Sequence, residues 1–202
     1  PGFDADVNIL CMLNLLEAGR KNGLQKVIFA SSGGAVYGDA QTIPTPETYP
    51  AQPASPYGVS KLSSEYYLHF YYQTYGIGYV ALRYGNVYGP RQNPHGEAGV
   101  IAIFTQKLLH NEQPLINGDG TQSRDFVYAG DVAAANTLAL NYTGHLIVNI
   151  GTSKSTTILE IYKHLTQLTN KNMPPKHTEA KKGEQRISVL DIKKARKRTC
   201  FR

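Results

Sequence analysis

The sequence predicts an α/β protein built on a doubly wound parallel sheet, with a smaller substrate-binding part toward its C-terminus. Three observations carry this. Short continuous apolar runs, Lys26-Val-Ile-Phe-Ala30, Tyr79-Val-Ala-Leu-Arg83 and Leu146-Ile-Val-Asn-Ile150, read as strands covered on both faces. Segments with helical apolar spacing alternate with them, as a parallel sheet with crossover helices requires. Two of the runs end in small or irregular residues, Ser31-Ser-Gly-Gly and Arg83-Tyr-Gly-Asn. In such sheets ligands bind beyond the carboxyl ends of the strands.

The elements follow in order. Val7 to Gly19 repeats apolar residues at helical spacing, and Gly19 or Gly23 can end it. The first strand, Lys26 to Ala30, runs into the turn Ser31-Ser-Gly-Gly-Ala-Val-Tyr-Gly38. Residues 39–56 hold five prolines and read as a surface loop. A helix follows from about Tyr57 to Tyr75, with most of its aromatics in the core, and Gly76-Ile-Gly78 breaks it. That Gly-x-Gly precedes a strand, so it is not a dinucleotide loop. After the strand Tyr79 to Arg83 comes an irregular Gly/Pro stretch, then a helix from about Val100 to His110. Pro114 to Gly120 is a strand into a tight turn, and Arg124 to Tyr128 is a short strand. Asp131 can cap a helix through Leu140. Leu146 to Ile150 is the next strand, and Thr156 or Thr157 caps a helix to about Leu168, with Glu160 in its first turn.

Composition narrows the function classes. The 202 residues are 41% hydrophobic and 18% charged, as in soluble globular proteins, and no apolar run approaches the ~20 residues of a membrane span. The opening Pro1-Gly-Phe-Asp has no signal-peptide pattern. Two distant cysteines, Cys11 and Cys200, point to a reducing, cytoplasmic setting, and the six histidines share no ligand spacing, so no metal site is expected. The net charge of +6 is concentrated at the end: from Lys176 onward ten Lys/Arg face three Asp/Glu, leaving the rest at −1. Few aromatics interleave with these charges. They read as a solvated helix face rather than a nucleic-acid surface, and no nucleic-acid or membrane partner is expected.

The chemistry concentrates at Ser55-Pro-Tyr57-Gly-Val-Ser-Lys61. On a helix, Tyr57 and Lys61 stand on one face, one turn apart. A free tyrosine titrates near pH 10, and a neighbouring ammonium favours its phenolate, so the pair can exchange a proton with a substrate hydroxyl. Alone, such a pair is more often a solvated face.

Several motifs agree with it in order and spacing: Ser31-Ser-Gly-Gly-Ala-Val-Tyr-Gly38, Pro56-Tyr-Gly-Val-Ser-Lys61, Leu82-Arg-Tyr-Gly-Asn-Val-Tyr-Gly-Pro-Arg-Gln92, Gly96-Glu-Ala-Gly-Val100, Gly118-Asp-Gly-Thr-Gln-Ser-Arg-Asp-Phe-Val-Tyr128 and Asn149-Ile-Gly151. With them the chain resembles the extended short-chain dehydrogenase/reductases that act on nucleotide sugars, the NAD-dependent epimerase/dehydratase family, and within it the UDP-glucose 4-epimerases. The resemblance implies a Rossmann-like fold, incomplete here. Residues 1–90 would be the C-terminal part of the NAD-binding domain. Residues 91–202 would be mostly the nucleotide-sugar-binding part, with 120–150 returning to the sheet. It implies NAD as cofactor, a UDP-sugar as substrate, reversible oxidation at sugar C4, and a homodimer formed through the helices of Val7–Ala18 and Tyr57–Tyr75.

Site residues follow from the same resemblance. Tyr57 would be the base and Lys61 would hold the nicotinamide ribose. Ser31, Ser32, Asn8, Tyr84 and Gly85 would line the cofactor. Asn86 and Arg124 would contact the substrate diphosphate, Val100 the sugar nucleotide, and Leu115 and Asn117 the uracil. Taken alone, Arg124 beside Asp125 is as readily a local ion pair.

The chain departs from the family's pattern in places. Gly33 occupies the position of the family's Ser/Thr, so the hydroxyl role would fall to Ser32, Ser31 or water. Gly34-Ala35 replace the acid pair of dehydratases, which argues against elimination chemistry. Lys181 replaces a second phosphate arginine and lacks its fork. The family's glycine-rich phosphate turn after a first strand has no counterpart, and the residues from Lys194 onward read unlike the family's apolar closing helix. The chain is therefore expected to be a fragment lacking the N-terminal part. Three readings stay open: an epimerase of UDP-glucose or another sugar nucleotide, a non-catalytic remnant, and a nucleic-acid binder through the basic tail.

Overall fold

The computed structural model describes residues 1–95, 99–171, 173–180, 183, 185–198 and 201. Three parallel strands form its centre: β1 (Lys26–Ser32), β2 (Gly78–Tyr84) and β7 (His145–Ile150), in the order β1-β2-β7. Their register aligns Ser31 with Arg83 and Arg83 with Asn149.

Helices cover both faces. On one lie α2 (Cys11–Lys21) and α4 (Pro56–Tyr75), whose Leu16, Leu68 and Tyr71 pack on Tyr79 and Ala81 of β2. On the other, Ala135 and Ala139 of α6 (Ala129–Leu140) pack on Val80, Leu82, Val148 and Ile150. Odd and even residues of β2 thus enter different cores, the reason its sequence is apolar without alternation. This is the doubly wound architecture expected.

The strand expected at Lys26–Ala30 differs in one respect. It is half-buried rather than buried, and Ala30 is exposed. Its one strand partner among the described residues is β2, and its other edge opens on a cavity of about 600 Å³ walled by α2.

The first helix begins earlier than its apolar spacing suggests. α1 (Gly2–Ala5) continues through a π turn at Asp6–Leu10 into α2 without a break. Gly23, with φ +77°, ends the run, and Gly19 lies inside it. Ser32 then precedes α3 (Gly33–Val36), a single helical turn, at the N-cap position but with no side-chain cap hydrogen bond. Ser55 caps α4 by accepting from the Gly58 N–H, Pro56 occupies the first turn, and Gly76 closes the helix in the left-handed conformation.

Beyond β2 the chain builds the smaller elements. β3 (Asn86–Tyr88) pairs with β6 (Phe126–Tyr128), and β4 (Leu115–Asn117) with β9 (Lys176–Thr178). β5 (Ser123–Arg124) lies between β10 (Ile187–Ser188) and β8 (Thr156–Thr157). Phe104 of α5 (Val100–Leu109), Ile116 and Ile158 of α7 (Ile158–Thr169) form a separate apolar cluster. Thr157 is the cap of α7, in a reciprocal capping box with Glu160.

Five expectations are corrected. Most aromatics of α4 are not in the core: Tyr57, Tyr66, Tyr67, Phe70 and Tyr75 are exposed, and Tyr71 is buried. Arg124 to Tyr128 is not one strand: it is broken at Asp125, whose buried carboxylate accepts the N–H groups of Thr152, Ser153 and Leu190. Asp131 does not cap α6; it lies in the first turn, where a carboxylate opposes the helix dipole. The loop of residues 39–56 is not wholly superficial, because Thr45 is buried and pairs with the segment around Leu190. The basic tail is not a simple solvated face: α8 (Lys193–Arg198) places Ala195 in the core beside Ile192 and Phe201, and Lys194 donates to the Ile147 carbonyl.

Candidate active site

The carboxyl ends of β1 and β2, the one-turn α3 and the first turns of α4 converge. Gly58 makes the approach possible: a Cβ there would lie 2.5 Å from the Ala35 carbonyl oxygen, a backbone atom that cannot step aside. The neighbouring Tyr57 is 42% exposed at the start of α4, open to a ligand above the strand ends.

Lys61 follows one turn later. Its Nζ stands 5.5 Å from the centre of the Tyr57 ring and 5.0 Å from that of Phe29. Burial against this apolar wall pushes the ammonium pKa down, and the Asp4 charge opposes that shift. Asn8 joins the same cavity wall as Lys61, on the π turn. Its amide donates to Asp4, and its carbonyl accepts from the Ser64 hydroxyl of α4. Such π turns often mark functional sites, and sequence spacing does not reveal them.

The two serines separate by strand alternation. Ser31 faces α4, is buried, and donates to Glu65 Oε1 at 2.5 Å. That bond ties its hydroxyl to the helix above it. Ser32, half-buried at the start of α3, points to the opposite face. A Cβ at Gly33 would meet the Leu190 side chain at 2.6 Å, so Leu190 fills the space that a larger residue would take.

Tyr84 is not brought to Tyr57. Its ring packs in the α6-side core and its hydroxyl bonds to Asn136, while burial raises its pKa. Only its backbone, with Gly85, reaches the strand ends; the Gly85 N–H donates to Ile150 O. Asn86 is exposed at the start of β3, and its Oδ1 lies near the Gly34 backbone.

Arg124 and Asp125 project to opposite sides of their extended segment. The Arg124 guanidinium donates to the Ser123 and Arg186 carbonyls, and the Asp125 carboxylate is filled by backbone N–H groups and the Thr152 hydroxyl. The pairing that adjacency suggests is therefore not what Asp125 does. Val100 packs its side chain in the cluster of Phe104 and Ile116. Leu115 is exposed on β4, and Asn117 accepts from the Thr178 hydroxyl. Lys181 and part of the Gly96–Val100 motif lie outside the described residues.

Sequence reasoning missed the network under α4. Arg83 pairs with Glu65 through two N–H···O bonds, and Tyr37 bridges Arg83 to Asn149. A glutamate inside an aromatic-rich helix gave no signal by itself. No group of His, Cys, Asp and Glu among the described residues could hold a metal ion, and no described helix is long and apolar enough to cross a membrane.

Residues 1–151 match the model of the NAD dependent epimerase/dehydratase family. A UDP-glucose 4-epimerase of Mycolicibacterium smegmatis is 40% identical over 197 residues, which is 97% of this chain and 63% of that protein. The crystal structure of UDP-glucose 4-epimerase from Thermotoga maritima with UDP-glucose superposes with a TM-score of 0.98 at 46% identity, over 100% of this chain and 65% of that one. The Thermus thermophilus UDP-glucose 4-epimerase in complex with NAD gives a TM-score of 0.90 at 42% identity, over 98% of this chain and 65% of that one. The chain thus spans about two-thirds, 63–65%, of the length of these relatives.

Proposed function

The chain belongs to the NAD dependent epimerase/dehydratase family, and from that premise we propose that the protein carrying it is an NAD-dependent 4-epimerase of a UDP-sugar, with UDP-glucose and UDP-galactose as the pair. The observation that supports this most directly is the Tyr57–Lys61 couple at the strand ends, with the ammonium 5.5 Å from the phenol ring. The relatives crystallised with UDP-glucose and with NAD supply the substrate and cofactor class.

The residues present fit the nicotinamide-ribose end of NAD. Lys61 offers an ammonium to a ribose diol, and Asn8 and Phe29 wall the same cavity at the outer edge of β1. When bound, NAD supplies reversible hydride acceptance. The chain's own part is orientation and proton transfer. Tyr57 takes the C4 hydroxyl proton as that carbon is oxidised and returns it from the phenolic oxygen when the carbon is reduced on its other face. Lys61 favours the phenolate before the proton is taken and after it is returned. Ser32, Ser31 or water would supply the missing hydroxyl near the strand ends, with Gly85 and the Tyr84 backbone beside Ser32.

Asn86 and Arg124 are proposed to hold the diphosphate. A planar guanidinium gives two parallel N–H···O bonds to phosphate oxygens, which fixes the sugar's orientation as well as its position. Val100, Leu115, Asn117 and Lys181 are proposed on the nucleotide side. The division follows: residues 1–90 as part of the cofactor domain, and 91–202 mostly as the nucleotide-sugar part, with 120–150 returning to the sheet. Exposed apolar residues on α2 and α4, among them Leu15, Tyr66 and Phe70, support a homodimer through those helices.

The test is interconversion of UDP-galactose and UDP-glucose by the intact protein with NAD. Turnover is expected; its absence for both sugars would overturn the proposal.

A further inference from the structure

We propose that the buried Glu65–Arg83 ion pair is a positioning unit that sets where α4 lies across the ends of β1 and β2, and through it where Tyr57 and Lys61 stand. This rests on the reading of Tyr57 and Lys61 given above and deepens it.

In the first half of α4, Leu62 packs half-buried against Val36, Tyr37 and Leu190, and the fully buried positions are mostly small. From Pro56 to Glu65 its buried residues are Gly58, Ser60, Ser64 and Glu65. Glycine and serine allow close approach, but their small side chains interlock weakly with a neighbouring surface. Glu65 is the long side chain on that buried face. It enters a polar row that crosses all three strands in register, Ser31, Arg83 and Asn149, which are 3%, 5% and 0% exposed. Arg83 Nε lies 2.9 Å from Glu65 Oε1 and Nη2 lies 2.6 Å from Oε2, while Ser31 donates to Oε1 at 2.5 Å. Arg83 Nη1 donates to the Tyr37 hydroxyl at 2.9 Å, and that hydroxyl donates to Asn149 Oδ1 at 2.8 Å. Asn149 Nδ2 then donates to the Thr45 and Asp191 carbonyls. The carboxylate is therefore anchored to the sheet, to the segment after β1 and to two distant loops.

Stability alone does not account for such a group. The desolvation of two buried charges offsets much of their attraction, and well-packed apolar replacements are often as stable. What the pair does supply is geometry, because a bidentate fork fixes distance and orientation together. Glu65 lies one turn beyond Lys61 and two beyond Tyr57 on the same continuous helix. A shift of about 1 Å in the placement of reacting groups can cost about a hundredfold in rate.

The experiment uses the intact protein and four variants, Glu65→Gln, Arg83→Met, Arg83→Lys and Tyr37→Phe. It reads kcat and KM for the UDP-sugar, together with an NMR titration of ¹³Cζ-labelled tyrosine in which Tyr57 is assigned by its loss in Tyr57→Phe. Glu65→Gln and Arg83→Met are expected to lose about 10- to 100-fold in kcat with little change in KM, because Asn86 and Arg124 lie on other elements. Arg83→Lys should recover part of the loss, since it keeps the charge without the fork. Tyr57 should titrate higher in both Glu65→Gln and Arg83→Met. Loss of charge alone would move it in opposite directions, down without the carboxylate and up without the cation. Opposite shifts, unchanged kcat, or kcat and KM worsening together would each overturn the inference. If Arg83→Met does not fold, Glu65→Gln and Tyr37→Phe carry the test with the same expected upward shift. The Tyr57→Phe control keeps the two readings apart: if it turns over normally, the catalytic assignment fails, whereas the titration still decides whether the pair places Tyr57.

Discussion

Lys61 holds its ammonium 5.5 Å from the centre of the Tyr57 ring, one helical turn away, and 5.0 Å from that of Phe29. The tyrosine is open to ligand while the lysine is half-buried, so the charge acts across a short, partly desolvated gap. Tyr57→Phe in the intact protein is therefore expected to lower kcat by about 10²- to 10⁴-fold with the fold intact, as removal of a general acid–base does. Steady-state kinetics with UDP-galactose, beside circular dichroism, check it; undiminished turnover would place the chemistry elsewhere.

Lys61→Met should separate function from stability. Burial lowers the Lys61 pKa, so the folded state resists its charge. With the folded pKa below the unfolded value near 10.4, the unfolded chain binds more protons in the window between them, and stability rises with pH there. Methionine removes that cost. The variant is expected to lose kcat and to melt no lower than wild type at pH 7; a clear fall in Tm would contradict it.

Glu17 gives an acid-side prediction. The Arg20 hydrogen bond first, and the Tyr71 hydroxyl second, hold its carboxyl down at about 2. The unfolded value is about 4.3. The folded pKa is the lower, so the stabilisation is complete above the unfolded value and is lost as pH falls toward 2. Because Tyr71 belongs to α4, this bond fastens α2 to the helix that carries Tyr57. The Tm gap between wild type and Glu17→Gln should be widest near neutrality and close toward pH 2; a gap independent of pH would show that Glu17 does not act through its charge.

Gly58→Ala should perturb the site from behind. The added Cβ would stand 2.5 Å from the Ala35 carbonyl oxygen, so α4 must shift away from α3. A cost of about 1–3 kcal/mol is expected in chemical denaturation, with a fall in kcat larger than any rise in KM. Wild-type behaviour in both would mean that the contact is slack.

Arg124→Lys tests the diphosphate reading. It keeps a positive charge and loses the planar fork. KM for the UDP-sugar should rise about tenfold, with kcat reduced less, as for a lost charge-assisted bond. An unchanged KM would assign Arg124 a local role, at carbonyls such as those of Ser123 and Arg186.

Much of the fold was legible in the sequence because its signals are local. The apolar runs of β2 and β7, the span of α4 from near Tyr57 to its glycine stop, and the box of Thr157 with Glu160 are each set by neighbours within a few residues. The Tyr57–Lys61 couple was legible for the same reason, since helical spacing by itself makes i and i+4 neighbours. The misses are non-local. Nothing near Asp125 in the chain says that it will cap the N–H groups of Thr152, Ser153 and Leu190. Nothing near Thr45 announces its pairing with the segment around Leu190.

The sequence by itself determined the three central strands and the longer helices, that the sheet is parallel with helices on both faces, and that a tyrosine and a lysine share one helical face. Only the tertiary structure decided that Ser31 lies beneath α4, that Tyr84 turns to the opposite core, and that Glu65 meets Arg83. The physical reason is that periodicity assigns a side chain to a face, whereas its partner on that face comes from a segment whose distance along the chain carries no information about distance in space.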